Sequence, residues 1–591
     1  MHYILVAGGV ISGVGKGIIA SSTGLLLQTL GYRVSCIKVQ PLGLMAPAEH
    51  GECFVLSSGG EVDLDLGNYE RYLSVTLSGD NNITLGKMHK RVHDLERKGH
   101  YLGKTVQIVP HLTDCIQEWI ERVAKIPVDG SGEEPDICII ELGGTVGDME
   151  SAPFLYALTK LRHEVGSKNF STIMVSYVAT VHGEQKTKPT QHCVKAIRSE
   201  GLIPDVIACR CEKPLEESTI SKISLHCQVG LDQVVVVRDM PTIYQVPHLL
   251  HEQGLVPLLL SKMDLPSPCK SLAAKGAAKW ESWMNLTLPK SQADLKIALV
   301  GKYVRNLDAY MSVVKAVLST CYCSMAVTPW TTGKINLRLT RHDVRLEHAA
   351  MHYRYNLKLL LINAEDLEPE AESQDPDTYR SAWDSLASAS GLIIPGGFGK
   401  RGVLGMMLAS RWAREQKRPY LGICLGFQVA VMQFARDMLS MKEADSEEFR
   451  PDSREPIIIH MPEVDRERMG ATMRLGLHDT VFQPGSEASK IRALYGGSNR
   501  AHERHRHRYE VNPQYVEKLQ SMGLHFVGKD TTGQRMEIFE LQDHPFFIGT
   551  QFHAEYQSRV LSGSPPYLGF IAASAGCLDQ ALKEQTAKGP E

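Results

Sequence analysis

No apolar run in this 591-residue chain reaches the ~18 residues needed to cross a bilayer. Nor is there an excess of positive charge. Lys+Arg number 64 against Asp+Glu 67, a formal charge of −3, which leaves no electrostatic footprint for nucleic acid. A disulfide framework is missing too, because the 13 cysteines are scattered. The pairs Cys209/Cys211 and Cys321/Cys323 lack the second half of a zinc site, so ordinary thiols in a reducing, cytosolic compartment are expected. No tandem repeat is visible. The opening MHYILVAGGVISGVGKG has no basic leader, and its apolar run ends in glycines and a lysine rather than a small-residue cleavage site. It is expected to be a buried strand entering a loop.

What is present fits a globular chain, with 43% hydrophobic and 22% charged residues. Residues 1–260 alternate short β-branched runs with helical patterns. YILVAGG, VSCIKV, VQIV, DICIIEL, STIMVSYV, DVIACR and QVVVVRD are predicted strands of a mainly parallel sheet covered on both faces. Residues 266–294, rich in Pro, Lys, Ser and Ala, read as an interdomain linker. A second α/β series from LKIALVGKY through LKLLLINA, GLIIPGG, PYLGICLG, PIIIHM, LHFVGKD and RMEIFEL to FFIGTQFHAE makes a domain over 295–575. An Arg- and His-rich insertion is expected at 325–356, and a short tail at 576–591. The fold class is therefore α/β twice over: a P-loop-type, mainly parallel domain over 1–265, then a second α/β domain.

Three stretches carry chemistry. In GGVISGVGKG (8–17), glycines let backbone N–H groups turn toward a phosphate, and the following helix points its positive end at the same anion. Lys16 would reach the outer phosphates. The Gly-Lys-Gly ending lacks the hydroxyl that usually assists magnesium, so carboxylates elsewhere must hold it. Asp63, Asp65 and Glu141 are the candidates, Glu141 because it ends an apolar strand, where α/β sheets present ligands.

In PYLGICLGFQ a strand runs into Gly-x-Cys-x-Gly and then a helix, a nucleophile elbow with Cys424 as its thiol. IGTQFHAEY supplies His553 as base and Glu555, two residues on, to orient it. Glycine N–H groups of GLIIPGGFGKRG, with that of Leu425, suit an oxyanion hole. Third, GEQKTKPTQHCVK suits a polyphosphate or a solvated charged face. ERHRHRYE reads as an exposed basic run, a metal site or a carboxylate clamp. Its i, i+2 histidines are unlike helical zinc sites, which favours Arg508 as an anion contact.

Together and in this order, GGVISGVGKG, DLDLGNYER, IELGGTVGDMES, GEQKTKPTQ, PGGFGKRG, LGICLGFQ and ERHRHRYEVN resemble CTP synthase, over residues 2 to about 575. The resemblance implies an N-terminal amidoligase domain that uses Mg-ATP to phosphorylate O4 of UTP. It implies a C-terminal class I glutamine amidotransferase whose ammonia passes inside the protein and displaces the phosphate, giving CTP. It implies that Ser12, Lys186, Thr187, Lys188, Pro189, Thr190, Gln191 and Lys222 contact UTP, or CTP as feedback inhibitor. Gly13, Val14, Gly15, Lys16, Gly17 and Ile18 would hold ATP, and Asp65 and Glu141 magnesium. Asp148, Met149 and Glu150 match the family's CTP-contacting triplet, and Lys38 and Met240 are further nucleotide contacts. Glutamine would meet Gly397, Leu425, Gly426, Phe427, Gln428, Glu448 and Arg508, with Cys424, His553 and Glu555 as the triad. Family members are cytoplasmic homotetramers, some form filaments, and GTP activates them, with Arg401 a contact for it. No nucleic-acid or membrane partner is implied.

Some positions depart from the family pattern. Where the family reads close to DPYINIDAGTMSP after the lysine, this chain reads VQPLGLMAPAEHGE, with Gln40 for the aspartate and a shorter loop. The loop before GEQKTKPTQ is also short, Ala554 stands for a proline, and Ala471 for a glycine. An amide cannot replace a carboxylate near magnesium or a lysine without loss of charge. A second reading follows: a paralogue with little synthetase activity that assembles with or regulates active subunits. A third is another ATP-dependent amidotransferase of the cobyric-acid type.

Overall fold

The computed structural model describes residues 1–9, 11–40, 51–287, 294–317, 353, 355–462 and 473–588. The loop before His50, Ala471 and nearly all of the 325–356 insertion lie outside the described residues. The chain divides into two compact units. One comprises Met1–Met45 and Val62–Leu288, the other Ala46–Glu61 and Pro289–Glu591.

The first unit is built on seven parallel strands in the order Val234–Arg238, Val206–Cys211, Phe170–Tyr177, His2–Gly8, Ile137–Leu142, Val34–Gln40, Asn82–Thr84. The central strands are buried almost end to end, as a sheet covered on both faces requires. His2–Gly8 lies between two strands reached by crossovers of opposite direction, so a crevice opens at its C-terminal end, where the glycine loop begins. The predicted strand VQIV is not one. Residues Ile108–Leu112 form a helical turn leading into the helix Thr113–Ala124. Pro110 could not have donated to a ladder, and Ile108 and Val109 are exposed.

The expected linker is largely the helix Lys270–Thr287, which packs onto this unit. Trp283 is fully buried and donates to Tyr244 O at 2.8 Å, and Lys279 donates to Gln28 Oε1 at 3.0 Å.

The second unit holds a nine-stranded sheet. Asn356–Asn363, Asp294–Gly301, Gly391–Ile394, Tyr420–Ile423 and Phe547–Thr550 are parallel. Met536–Leu541, Leu524–Asp530, Arg474–Phe482 and Arg500–His507 continue it antiparallel. The PIIIHM strand, Glu455–His460, belongs instead to a small three-stranded sheet with Ala444–Ser446 and Tyr509–Val511. Apolar clusters cover both faces of the large sheet. The expected tail contains the helix Leu578–Lys588, whose Leu578 and Leu582 pack on one of them.

Two candidate active sites, one in each unit

In the first unit the chemistry follows from strand register. Lys38 and Glu141 sit opposite each other near the C-terminal ends of neighbouring parallel strands. Asp65 lies in the first turn of the helix Leu64–Leu73, which Asp63 caps by accepting from Asp65 N at 2.9 Å. Lys38 Nζ bonds Asp65 Oδ2 at 2.5 Å and Glu141 Oε1 at 2.6 Å. Asn68 donates to Asp65 Oδ1 at 3.0 Å, and Tyr69 OH donates to Glu141 Oε2. Burial lowers the Lys38 pKa, and the two carboxylates more than reverse this, so the ammonium stays charged. Burial pushes the Glu141 carboxyl up to about 7, with Asp65 adding to the shift and Lys38 and Tyr69 opposing it.

The Gly-Lys-Gly ending now has a physical reason. A Cβ on Gly17 would lie 2.1 Å from Asp65 Oδ1. The carboxylate occupies the place that a Ser or Thr side chain would take. Gly13 and Gly15 have φ of +70° and +98°, a left-handed turn that favours glycine. Lys16 Nζ reaches the carbonyl of Gly144 at 2.6 Å, and burial lowers its pKa. Asp148, in an exposed loop, lies near enough to Lys16 to feel its charge. Its carboxyl is held below the ordinary value first by Thr145, whose N–H donates at 2.8 Å. Ser12 and Gly13 are exposed on the loop, and Arg210 donates to Gly13 O at 2.9 Å. Val14 and Gly17 are buried, and Ile18 half-buried.

The two carboxylates converge on one cationic point. Oxygen donors of this kind, two in number, fit magnesium, which takes one or two carboxylates and fills its shell with water and phosphate oxygens. No group of three or more His, Cys, Asp or Glu poised for a metal occurs among the described residues, so a dedicated all-protein cage is absent there.

The KTKPTQ segment forms the short strand Glu184–Lys186 and the start of the helix Lys188–Ser199. Thr187 and Thr190 are buried, Thr190 Oγ1 accepting from Ser176 Oγ at 2.9 Å, and Gln191 donates to Thr187 Oγ1 at 3.0 Å. Lys188 is exposed, and Pro189 half-buried. Lys186 pairs with Glu184, whose carboxyl it depresses, with a smaller contribution from Lys222. Met240, half-buried, follows the strand Val234–Arg238, and Met149 and Glu150 are exposed. Gln40 ends its strand buried, in register with Thr84.

In the second unit Cys424 sits between the strand Tyr420–Ile423 and the helix Leu425–Met438 with φ 53° and ψ −101°. Such strain in a non-glycine residue is characteristic of a nucleophile elbow. The flanking glycines are dictated by contact. A Cβ on Gly426 would lie 2.0 Å from Ile394 O, and one on Gly422 2.8 Å from Gly426 O. His553 lines one cavity with the thiol, and its Nδ1 lies 2.7 Å from Glu555 Oε1. Tyr567 OH holds the other Glu555 oxygen at 3.3 Å. Burial lowers the His553 pKa, but the Glu555 carboxylate and the nearby Cys424 raise it to about 10. Ala554, fully buried, opens the 3₁₀ turn Ala554–Gln557 without parting the pair.

Gly396 and Gly397 follow the strand Gly391–Ile394 and line the same cavity as Cys424 and His553. A Cβ on Gly396 would stand 2.9 Å from the His553 ring. Leu425, Gly426, Phe427 and Gln428 form the first helical turn, and the Leu425 N–H has no partner within the helix by geometry. Gln428 Nε2 donates to Tyr509 O at 3.0 Å. Glu448 accepts from Gly399 N at 2.7 Å; burial raises its pKa, while Lys302 and Arg508 oppose the rise. Arg401 pairs with Glu365 at 2.8 Å.

ERHRHRYE is a strand and not an exposed basic run: Glu503, Arg504, His505 and His507 are all buried. Its charges are matched inside the unit. Arg506 pairs with Glu61 at 2.9 Å, Arg504 donates to Val55 O at 3.0 Å, and Tyr495 OH donates to Glu503 Oε1 at 2.7 Å. Two features escaped sequence reasoning. Lys302 donates to the carbonyls of Phe398 and Gly399, and Glu52, Cys53 and Arg506 line the cavity at the thiol. Nothing in HGECFV signals that it belongs with the second unit.

These sites define an ATP-dependent ligase unit joined to a class I glutamine amidotransferase. Residues 2–265 match the family described as CTP synthase N-terminus, and residues 344–573 match Glutamine amidotransferase class-I. The CTP synthase of Neurospora crassa is 55% identical, over 99% of this chain and 97% of its own length. CTP synthase 2 of Saccharomyces cerevisiae is 52% identical, over 99% and 98%. The solved glutaminase domain of Trypanosoma brucei CTPS with bound acivicin is 33% identical. That match covers 48% of this chain and 94% of that one, with a TM-score of 0.39. The chain belongs to the CTP synthase family. It is a glutamine-hydrolysing ligase that aminates UTP to CTP, with ATP as co-substrate. At this identity the departures noted above are minor, and the relatives give no support to a non-synthesising paralogue.

Proposed function

We propose that Cys424, His553 and Glu555 release ammonia from glutamine, and that the Lys16–Lys38–Asp65–Glu141 cluster serves its capture by activated UTP. The observation that carries the first half is the His553 ring lining one cavity with the thiol and held from its other side by Glu555. His553 takes the thiol proton, and the thiolate attacks the amide carbon of glutamine. The oxyanion is met by N–H groups of the Leu425 turn and the Gly396–Gly397 loop. His553 returns the proton to the departing nitrogen, and ammonia leaves. Water, deprotonated by His553, then cleaves the thioester to glutamate. Glu448 and Arg508, of opposite charge, suit the amino and carboxylate ends of the substrate.

In the first unit the glycine loop and Lys16 would hold the ATP phosphates. Magnesium, bound by Asp65 and Glu141, would neutralise charge on the transferring phosphoryl group. Phosphorylation of O4 turns a poor leaving group into a good one, and ammonia then displaces phosphate at C4. Lys38, bonded to both carboxylates, holds them in place. The KTKPTQ segment and Lys222 would take the UTP phosphates, and Asp148–Glu150 would contact CTP as a feedback inhibitor. Activation by GTP through Arg401, a homotetramer and a cytosolic location complete the reading. The 11 described cysteines, all unpaired, support a reducing compartment. Among the described residues no helix is long and apolar enough to cross a membrane.

The assay is CTP formation from UTP, ATP and ammonium. Asp65→Asn is expected to abolish it while glutamine hydrolysis persists. Wild-type synthesis by Asp65→Asn would overturn the metal assignment.

A further inference from the structure

We propose that Lys302 is a positioning residue of the thiol site: its buried ammonium clamps the carbonyls of Phe398 and Gly399 and so aims the N–H groups of Gly396 and Gly397 at the oxyanion. The proposal rests on reading Cys424 as the nucleophile and this loop as part of the oxyanion hole.

The placement follows from the sheet. Lys302 directly follows the strand Asp294–Gly301, and the loop follows Gly391–Ile394. These strands are parallel neighbours, so their C-terminal ends deliver the lysine and the loop side by side. The Lys302 main chain is held at both of its polar groups. Its N–H donates to Tyr310 OH at 3.0 Å, and its carbonyl accepts from Arg401 Nη2 at 2.6 Å. Its buried side chain passes Gly397, where an added Cβ would stand 3.5 Å from Lys302 Cδ. Nζ then donates to the Phe398 carbonyl at 3.3 Å and to that of Gly399.

Little else holds this backbone. Among the described residues, the one further hydrogen bond made by the main chain of 396–399 runs from Gly399 N to Glu448 Oε1 at 2.7 Å. Gly399 is thus gripped by a carboxylate at its N–H and by an ammonium at its carbonyl, both charge-assisted bonds. Arg506 lies over the Phe398 ring at 5.1 Å, which fixes the ring and not the peptide. The N–H groups of Gly396 and Gly397 have no partner among the described residues, and both glycines line the cavity at Cys424 and His553. Unengaged donors beside a nucleophile suit a charge that develops only during reaction. A glycine-rich segment without ladder bonds is free to turn them away unless its carbonyls are pinned.

The charge has no other evident task. Among the described residues no carboxylate forms an ion pair with Lys302. Burying an ammonium in this way destabilises a fold, and the carbonyls it serves belong to the loop at the thiol. Burial lowers its pKa to about 8, with Glu448, Glu368 and Glu365 opposing and Arg401 adding to the fall, so the cation persists at neutrality.

The test uses the full chain. Glutamine hydrolysis without nucleotides and CTP formation from ammonium are measured for wild type, Lys302→Met, Lys302→Gln, Lys302→Arg and Cys424→Ala. Losing an oxyanion donor outright costs about 10²–10³ in kcat, and misaligning one costs less. Hydrolysis by Lys302→Met and Lys302→Gln should therefore fall about tenfold in kcat, with the KM for glutamine within about threefold and the ammonium reaction unchanged. Lys302→Arg, which keeps the cation, should recover most of the loss. The second readout is inhibition by the glutamine analogue with an aldehyde in place of the amide. The Cys424 sulfur adds to its carbonyl carbon, the thiol proton passes to His553, and the former carbonyl oxygen takes the oxyanion's place. Its inhibition should weaken about tenfold in Lys302→Met, while inhibition by glutamate, which needs no oxyanion, stays within about threefold. Wild-type kcat in both neutral variants overturns the proposal. So does an equal loss of glutamate inhibition, which would mean a collapsed pocket. If Lys302→Met loses the ammonium reaction, Lys302→Gln decides; if both lose it, Lys302 holds the fold and not the loop, and the proposal falls. Retained hydrolysis by Cys424→Ala would instead overturn the underlying reading.

Discussion

Gly17→Ser restores the hydroxyl that most phosphate loops carry, and here it should damage the enzyme. The new Cβ would lie 2.1 Å from Asp65 Oδ1, and ordinary contact begins at 3.4 Å, a shortfall of about 1.3 Å. Asp65 cannot yield freely: it is bonded by Lys38 at 2.5 Å and by Asn68 at 3.0 Å, and its own N–H is held by Asp63. Overpacking of this kind costs about 1–3 kcal/mol, and here it falls on the geometry of the two carboxylates. At ~1.4 kcal/mol per decade, ammonium-dependent kcat should fall roughly 10- to 100-fold. Glutamine hydrolysis measured without nucleotides serves as the control and should be unchanged. The assay is CTP absorbance from UTP, ATP and ammonium at saturating magnesium. Wild-type kcat in Gly17→Ser would refute the argument that Asp65 occupies the missing hydroxyl's place.

Other outcomes follow from the same contacts. Lys38→Met removes the buried cation between Asp65 and Glu141; leaving them unpaired should cost ~3–5 kcal/mol, read by urea unfolding of the variant. The Glu141 carboxyl, raised to about 7 by burial, is neutral below that pH and ionised above it. Magnesium-dependent ATP binding by calorimetry should therefore strengthen as pH rises through 7, and a flat profile would count against Glu141 as ligand. The raised His553 pKa contributes stability that is complete below about 6.5 and is lost as pH rises toward 10. Glu555→Gln should flatten that part of the thermal-stability profile, and an unaltered slope would contradict the pairing. Arg508→Ala should raise the KM for glutamine about tenfold or more and leave ammonium-dependent kcat alone.

Much of the architecture was legible in the sequence because parallel strands buried on both faces are written as short apolar runs. The elbow was legible as well, since Gly422 and Gly426 are fixed by backbone contacts under 3 Å that no side chain tolerates. The last strand of the second sheet was not. Glu503, Arg504, His505 and His507 look like a solvated face, and only distant partners make them core: Tyr495, the carbonyl of Val55, and Glu537. VQIV misled in the opposite sense, being apolar yet exposed at Ile108 and Val109. Lys302 carries no local signal; its role follows from the carbonyls of a loop about 97 residues away in sequence, closed over it by the fold. Why Gly17 is glycine also needed the structure, because Asp65 comes from another element.

The central claim is that one unit liberates ammonia and the other consumes it, with chemistries that depend on different residues. Cys424→Ala measures it most directly, with CTP formation compared between glutamine and ammonium as nitrogen donors. Synthesis from glutamine should vanish, and synthesis from ammonium should remain within about twofold of wild type. Loss of both activities, or survival of the glutamine reaction, would contradict the account.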